Sequence, residues 1–207
     1  MNNIPLSRRG LRILGAGGHG RVVADIAETL GFDPIEFIDA AFPKKQKNLV
    51  WDIVGVDFSA PNDGFEKFVA LGDNRLRLDA LNAMSASDGP ASTLIHPRAI
   101  VSRYASLGAG SVVMAGAVIN AGARLGRGVI ANSGCTIDHD CILGDGVHVS
   151  PGANIAAGVT IGRASWVGIG ACIRESIELG ADVIVGAGAA VVNNIQDGAR
   201  VIGIPAK

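Results

Sequence analysis

Only four histidines occur in 207 residues, so each can be weighed as a group that exchanges protons near neutral pH. His139 stands between two acids, in Asp138-His139-Asp140-Cys141. A carboxylate beside an imidazole can orient it and raise its basicity, as a general base requires, and a positioned base is worth about 10²–10⁴-fold in rate. The same run also fits an exposed histidine in a charged patch, and spacing alone does not separate the two. His148 follows nine residues later. His96 precedes Pro97 and reads as a polar cap, whereas His19 lies in a glycine turn, where it contacts either a ligand or its own loop. No Ser-His-Asp triad or cysteine nucleophile is evident, which favours direct group transfer over a covalent intermediate.

The turn around His19 is Gly15-Ala16-Gly17-Gly18-His19-Gly20, which fits GxGxxG, and Asp39 follows nineteen residues after Gly20. Glycines let the backbone approach a phosphate, a helix N-terminus favours the anion, and an acid so placed can hold a ribose hydroxyl or a base edge. The context agrees. Residues 11–14 read as a strand, and residues 21–30 as a helix with Val22, Val23, Ile26, Ala27 and Leu30 on one face. Ile35-Glu36-Phe37-Ile38 reads as a second strand ending at Asp39. Residues 68–71 read as another buried strand, residues 74–84 as a helix, and residues 92–95 as the lead into the C-terminal part of the chain. So short a stretch holds one mononucleotide-binding half, which points to a single nucleotide rather than NAD. The competing view is that the glycines only pack helix on strand.

The rest of the chain keeps a different period. Stepping by six from Ile95 through Val101, Leu107 and Val113 to Val191 meets seventeen apolar residues, all Ile, Leu or Val except Ala131. A composition that is 48% hydrophobic would leave about half of them polar, so the register is built in. The fifth hexad position is small or β-branched throughout, from Ala99 to Ala189, and glycine often follows the aliphatic residue, as at Gly108, Gly126 and Gly162. This is the hexapeptide pattern of a parallel β-helix, three hexads to a triangular coil. Residues 95–191 then make nearly six coils, about 27 Å tall. His139 falls at an outward-facing third position, and His148, half a coil later, falls on the opposite side of the prism. If both act together, they converge only across an interface between two prisms, as in a trimer.

We therefore expect two domains, residues 1–92 and residues 93–207. The formal net charge of −1 offers no basic excess for nucleic acid. Three cysteines, Cys135, Cys141 and Cys172, form no CxxC pair and read as buried thiols in a reducing compartment. Residues 1–10 are polar with no apolar h-region after Arg8 and Arg9, and no apolar run reaches membrane-spanning length, so a cytoplasmic location without membrane insertion is expected.

The stretches GAGGHG (15–20), Asn132-Ser133, DHDC (138–141), HVSPGA (148–153) and GIPAK (203–207) resemble the hexapeptide-repeat sugar acyltransferases related to sialic acid O-acetyltransferase. The similarity is greatest to the nucleotide-linked 4-amino-sugar N-acetyltransferases of bacillosamine and perosamine pathways, and it covers essentially the whole chain. The resemblance implies an α/β Rossmann-like half domain followed by a left-handed parallel β-helix, in a homotrimer with sites between subunits. It implies acetyl transfer from acetyl-CoA to an amino group, at C4, of a nucleotide-linked sugar in surface-glycan synthesis, without a metal. His139 maps to the base and Asp140 to the acid that tunes it, where the family usually carries Glu. His148 maps to the contact with the thioester end of acetyl-CoA, with Ile169, Ala187 and Gly188 along the pantetheine groove. Gly17, Gly18, His19, Asp39, Gly72 and Asn132 map to the substrate side. Ala40 replaces a second acid found in many relatives.

Backbone N–H groups near His148 would then be expected to hold the developing oxyanion. The rivals are an O-acetyltransferase on sialic acid or another sugar hydroxyl, a gamma-class carbonic anhydrase and a sugar-nucleotide-binding regulator. The carbonic anhydrase needs three histidine ligands and its family's close histidine pair, which is absent here. The motifs around His139 and His148 argue against the regulator.

Overall fold

The computed structural model describes residues 9–57 and 64–207, so residues 1–8 of the polar N-terminus lie outside it. The first part comprises β1 (Leu11–Leu14), α1 (Gly18–Thr29), β2 (Ile35–Ile38), β3 (Lys47–Asn48), β4 (Trp51–Gly55), β5 (Glu66–Val69) and α2 (Asn74–Asp88). The sheet order is β3-β4-β2-β1-β5, parallel except for β3. Side-chain alternation sends Leu11, Ile13, Phe37 and Phe68 to one face against Val23, Ile26 and Ala27 of α1. It sends Leu14 and Val69 to the other, against Leu78, Leu81 and Met84 of α2. The two helices thus cover opposite faces, and the winding reverses between β1 and β5. In open α/β sheets ligands bind beyond the carboxyl ends of strands at such a switch point.

Three expectations need correction. Helix α1 starts at Gly18, inside the glycine turn, and its buried residues are Gly20, Val23, Ala24, Ile26 and Ala27; Val22 and Leu30 face solvent. The helix is rolled so that its small side meets the sheet, because a Cβ on Gly20 would lie 2.0 Å from the Gly15 carbonyl oxygen. Strand β5 covers Glu66–Val69 rather than 68–71, since the ladder pairs Leu11 with Glu66 and the polar start is part of it. Strands β3 and β4 have no counterpart among the expected elements, although Trp51 and Ile53 alternate inward with outward Asp52 and Val54.

From Leu94 the chain winds through two-residue strands into three parallel sheets of seven, six and five strands. From Leu94 to Val191 each strand pairs with the one eighteen residues away, as His148 with Ile130 and Trp166, and only the last strand, Arg200–Val201, pairs sixteen residues back, with Ile184–Val185. The expected inward row is buried from Val113 to Val191, and the fifth-position row from Ser111 to Ala189 lies beside it, so two residues per hexad fill the core. At the open first coil Ile95 is exposed and Val101 and Leu107 only half-buried. Another rule emerges at the fourth position. From Gly110 to Gly188 every such residue has φ between 56° and 77°, and only Asp140, Ala164, Ser176 and Asp182 are not glycine. Short polar residues such as Asp tolerate this left-handed corner best after glycine.

The two parts pack together. Leu94, Val112, Met114 and Ile130 of the seven-stranded face join the core beneath α1, and Leu81 and Leu78 of α2 seat against the corners Gly110, Gly128 and Gly146. Cys135 and Cys141 are buried as expected, whereas Cys172 is exposed, because its strand position points outward with Asn154 and Ala190.

Candidate active site

His139 sits on the edge between the six-stranded face, which holds Thr136–Ile137, and the five-stranded face, which holds Ile142–Leu143. Asp140, in its left-handed corner, brings Oδ2 to 2.8 Å from His139 Nδ1. Asp138 does something else: its Oδ1 accepts the His139 backbone N–H at 2.7 Å and the Asn120 side-chain N–H at 2.8 Å. Those bonds, Asn120's first, hold the Asp138 carboxyl below the usual range. The Asp140 bond raises His139 above its ordinary 6.5; partial desolvation opposes it, and the nearby charges of Asp138 and Asp140 add to the rise. With Nδ1 engaged, Nε2 is the nitrogen left to take a proton, and the ring is 58% exposed on an open edge.

His148 lies on the seven-stranded face, which is opposite that edge. Its ring stacks on Trp166 with centroids 5.7 Å apart and planes 4° off parallel. Asn132 Nδ2 lies 3.1 Å from Nε2, and an amide nitrogen there donates, so the ring proton resides on Nδ1. Burial, then the charge of Arg77 and the proximity of His19, push His148 down to about 3. His19 falls to about 4 through burial and Arg77. Both imidazoles are neutral at neutral pH, and the His19 Nε2 is buried with no partner among the described residues. His19 of the glycine turn, Asn132 and His148 therefore share one neighbourhood, where the first part docks on the β-helix.

Within the glycine turn the roles divide. Gly15, at φ 106°, and Gly20 are required by packing, since a Cβ on either would strike backbone. Gly17 and Gly18 face open space, and α1 begins there with no side-chain cap, so its first N–H groups point outward, as an anion site requires. Helix α2 contrasts: Asp73 caps it by accepting from the Arg75 and Leu76 N–H groups. Asp39 lies beside the open turn, Oδ2 accepting from the Ala16 N–H at 2.7 Å and Oδ1 from the Ala41 N–H at 2.9 Å. Gly72, exposed beyond β5, borders the switch-point crevice on its other side.

Ile169 and Ala187-Gly188 occupy one edge in successive coils, the Gly188 N–H donating to the Ile169 carbonyl, and Ile169 is 61% exposed. The N–H groups of His148 and Ser150 are spent on the Ser165 and Val167 carbonyls, so the expected oxyanion donors are not these two. A cavity of about 690 Å³ opens between Gly72, Asn74, His148, Trp166, Ile184 and Arg200. Trp166 was not among the expected site residues, yet it lies eighteen residues after His148, one coil on, and that spacing was available. Arg77, Asn74 and Lys45, whose Nζ donates to the Ala16 carbonyl at 2.8 Å, carried no motif that could have found them. Among the described residues no group of three or more His, Cys, Asp or Glu side chains could hold a metal ion, and no helix is long and apolar enough to cross a membrane.

Residues 10–84 match a family model described as the PglD N-terminal domain. The chain is 42% identical to the acetyltransferase domain of PglB from Neisseria gonorrhoeae FA1090, solved with acetyl coenzyme A. The TM-score is 0.93, over 97% of this chain and 98% of that one. It is 38% identical to PerB from Caulobacter crescentus, solved with CoA and GDP-perosamine, at a TM-score of 0.90 and 96% of both chains. WeeI from Acinetobacter baumannii AYE, 23% identical over 96% of this chain and 99% of its own with a TM-score of 0.83, shares the fold. With near-complete coverage at these identities, the chain belongs to the hexapeptide-repeat amino-sugar N-acetyltransferases, built as an α/β region followed by a left-handed parallel β-helix.

Proposed function

We propose that the protein transfers the acetyl group of acetyl-CoA to the C4 amino group of a nucleotide-linked amino sugar, with His139 as general base. The observation that carries this is the Asp140–His139 pair at 2.8 Å, in a chain akin to PglB and PerB. The amine nitrogen attacks the thioester carbonyl, and His139 Nε2 takes the proton that the nitrogen sheds. The tetrahedral centre then collapses, the C–S bond breaks, and the thiolate of CoA leaves to receive that proton. No covalent enzyme intermediate is needed. His148, neutral and stacked on Trp166, meets the thioester end of the donor, whose arm runs past Ile169, Ala187 and Gly188. Gly17, Gly18, His19, Asp39, Gly72 and Asn132 serve the nucleotide sugar, its phosphates drawn to the uncapped start of α1.

In this proposal residues 1–92 bind the acceptor and residues 93–207 carry the transfer chemistry. Base and donor histidine belong to opposite sides of one prism, so the working unit is a homotrimer whose sites lie between subunits. The three free cysteines suit a cytoplasmic enzyme. The test is a panel of UDP-, dTDP- and GDP-linked 4-amino sugars incubated with acetyl-CoA and read by thiol release. One member should be acetylated on nitrogen; thiol release with none of them, or acetylation at a hydroxyl alone, overturns the proposal.

A further inference from the structure

Arg77, in the first turn of α2, is 1% exposed and among the largest fully buried side chains. All five guanidinium N–H donors are used. Nε donates to the Gly128 carbonyl at 2.8 Å. Nη1 donates to the carbonyls of Leu71 at 2.8 Å and Gly72 at 3.2 Å. Nη2 donates to Asn74 Oδ1 and to the Gly146 carbonyl, each at 2.8 Å. One side of the fork thus holds the exit of β5, and the other holds corners of two successive coils. Asn74 extends the tie to a third coil, its Nδ2 donating to the Ala164 and Ser165 carbonyls beside Trp166.

None of these acceptors is a carboxylate. A cation buried so costs stability unless every donor is placed, and apolar residues would serve adhesion as well or better. Adhesion is already supplied next door, where Leu78 and Leu81 seat on the glycine corners. What the planar fork adds is direction: it fixes where Gly72 stands relative to the seven-stranded face. Burial lowers Arg77 only to about 10, so it stays protonated, and its charge is felt at His19 and His148.

We propose that Arg77 is a positioning residue that sets the Gly72 border of the nucleotide crevice against His148 across the joint between the two parts. This rests on the proposed roles of Gly72 and His148. Arg77→Lys keeps the charge without the fork, and Arg77→Met removes both. Kinetics at a fixed concentration of folded sites should show the KM for the nucleotide sugar raised at least about tenfold in Arg77→Lys, the scale of lost hydrogen bonds to a charged group. The KM for acetyl-CoA should stay within about threefold. His148 followed by NMR should still titrate far below 6.5 in Arg77→Lys and move upward in Arg77→Met.

A folded Arg77→Lys with both KM values unchanged, or activity lost only in proportion to unfolded protein, overturns the proposal. Should Arg77→Met not fold, Asn74→Ala decides, since it cuts one arm of the tie and leaves the apolar docking intact. It should raise the same KM by a smaller factor, and an unchanged KM refutes the joint. If the wild type acetylates no nucleotide-linked amino sugar, the proposed function fails separately. The joint is then read by calorimetric binding of GDP and UDP to wild type and Arg77→Lys, where equal affinities overturn it.

Discussion

At the scale of single residues, the proposed site turns on two histidines placed in opposite electrostatic settings. His139 is raised by Asp140, and His148 is depressed by burial and Arg77. A base must be unprotonated, so the rate should fall as pH drops through the raised value of His139, and the acidic limb should lie above 6.5. Asp140→Asn removes the largest raising contact and keeps a residue suited to the left-handed corner, so that limb should move to lower pH, measured as kcat/KM against pH. A limb that stays put or moves upward contradicts the role given to Asp140. His139→Ala should cost at least about 10²-fold in kcat with acetyl-CoA binding retained, seen in single-turnover assays and calorimetry. His148→Ala should instead weaken acetyl-CoA binding and lower kcat less. The Asp138-His139-Asp140 run already announced an imidazole near acids. Only the resemblance pointed to Asp140; the run by itself could not tell the two acids apart, because Asp138 turns back to the backbone through a bond that only the coil's geometry brings about.

At the scale of elements, the joint between α1, α2 and the seven-stranded face makes a pH-sensitive contact. His19 and His148 titrate near 6.5 in an unfolded chain but only at about 4 and about 3 when folded. Between those values the unfolded state holds more protons, so stability present above pH 6.5 is lost progressively as pH falls toward 3. Thermal unfolding from pH 7 to pH 4 should show a declining Tm, and His148→Gln should flatten part of that decline. An equal slope in the variant would remove His148 from the account. Nothing in the sequence predicted this joint. Six-residue periodicity reported which residues point inward, but Leu94, Val112 and Ile130 are outward residues hidden by another element. The glycine turn was legible because its constraints are local. Asp39 was legible as a neighbour of the turn, and its carboxylate does reach the Ala16 N–H. Asp39→Ala should therefore raise the KM for the nucleotide sugar and leave that for acetyl-CoA nearly unchanged, in initial-rate assays with each substrate varied. An effect confined to acetyl-CoA would reverse the assignment of the two parts.

At the scale of the whole molecule, a β-helix is close to one-dimensional: each coil contacts its neighbours, and a side chain's place follows from counting residues. That is why the inward row and the half-coil separation of His139 from His148 could be read from spacing alone, whereas the hand of the helix came only with the resemblance. Counting also separates them. The strand before His139 lies in the six-stranded face and the strand after it in the five-stranded face, while His148 lies in the seven-stranded one. No movement of a rigid prism can bring an edge to the face opposite it. If both histidines serve one acetyl transfer, each site takes its base from one chain and its donor contact from another. Light scattering should then return three times the 21.1 kDa of the chain. Activity offers a sharper test through mixing. His139→Ala and His148→Ala chains, each impaired alone, should regain activity when unfolded together and refolded. In random trimers about a quarter of the interfaces pair an intact His139 with an intact His148. Assayed at low acetyl-CoA, where the His148 variant is weakest, the mixture should approach that fraction of wild-type rate. A mixture no more active than the mean of its parts would place both histidines' work within single chains and end the shared-site arrangement.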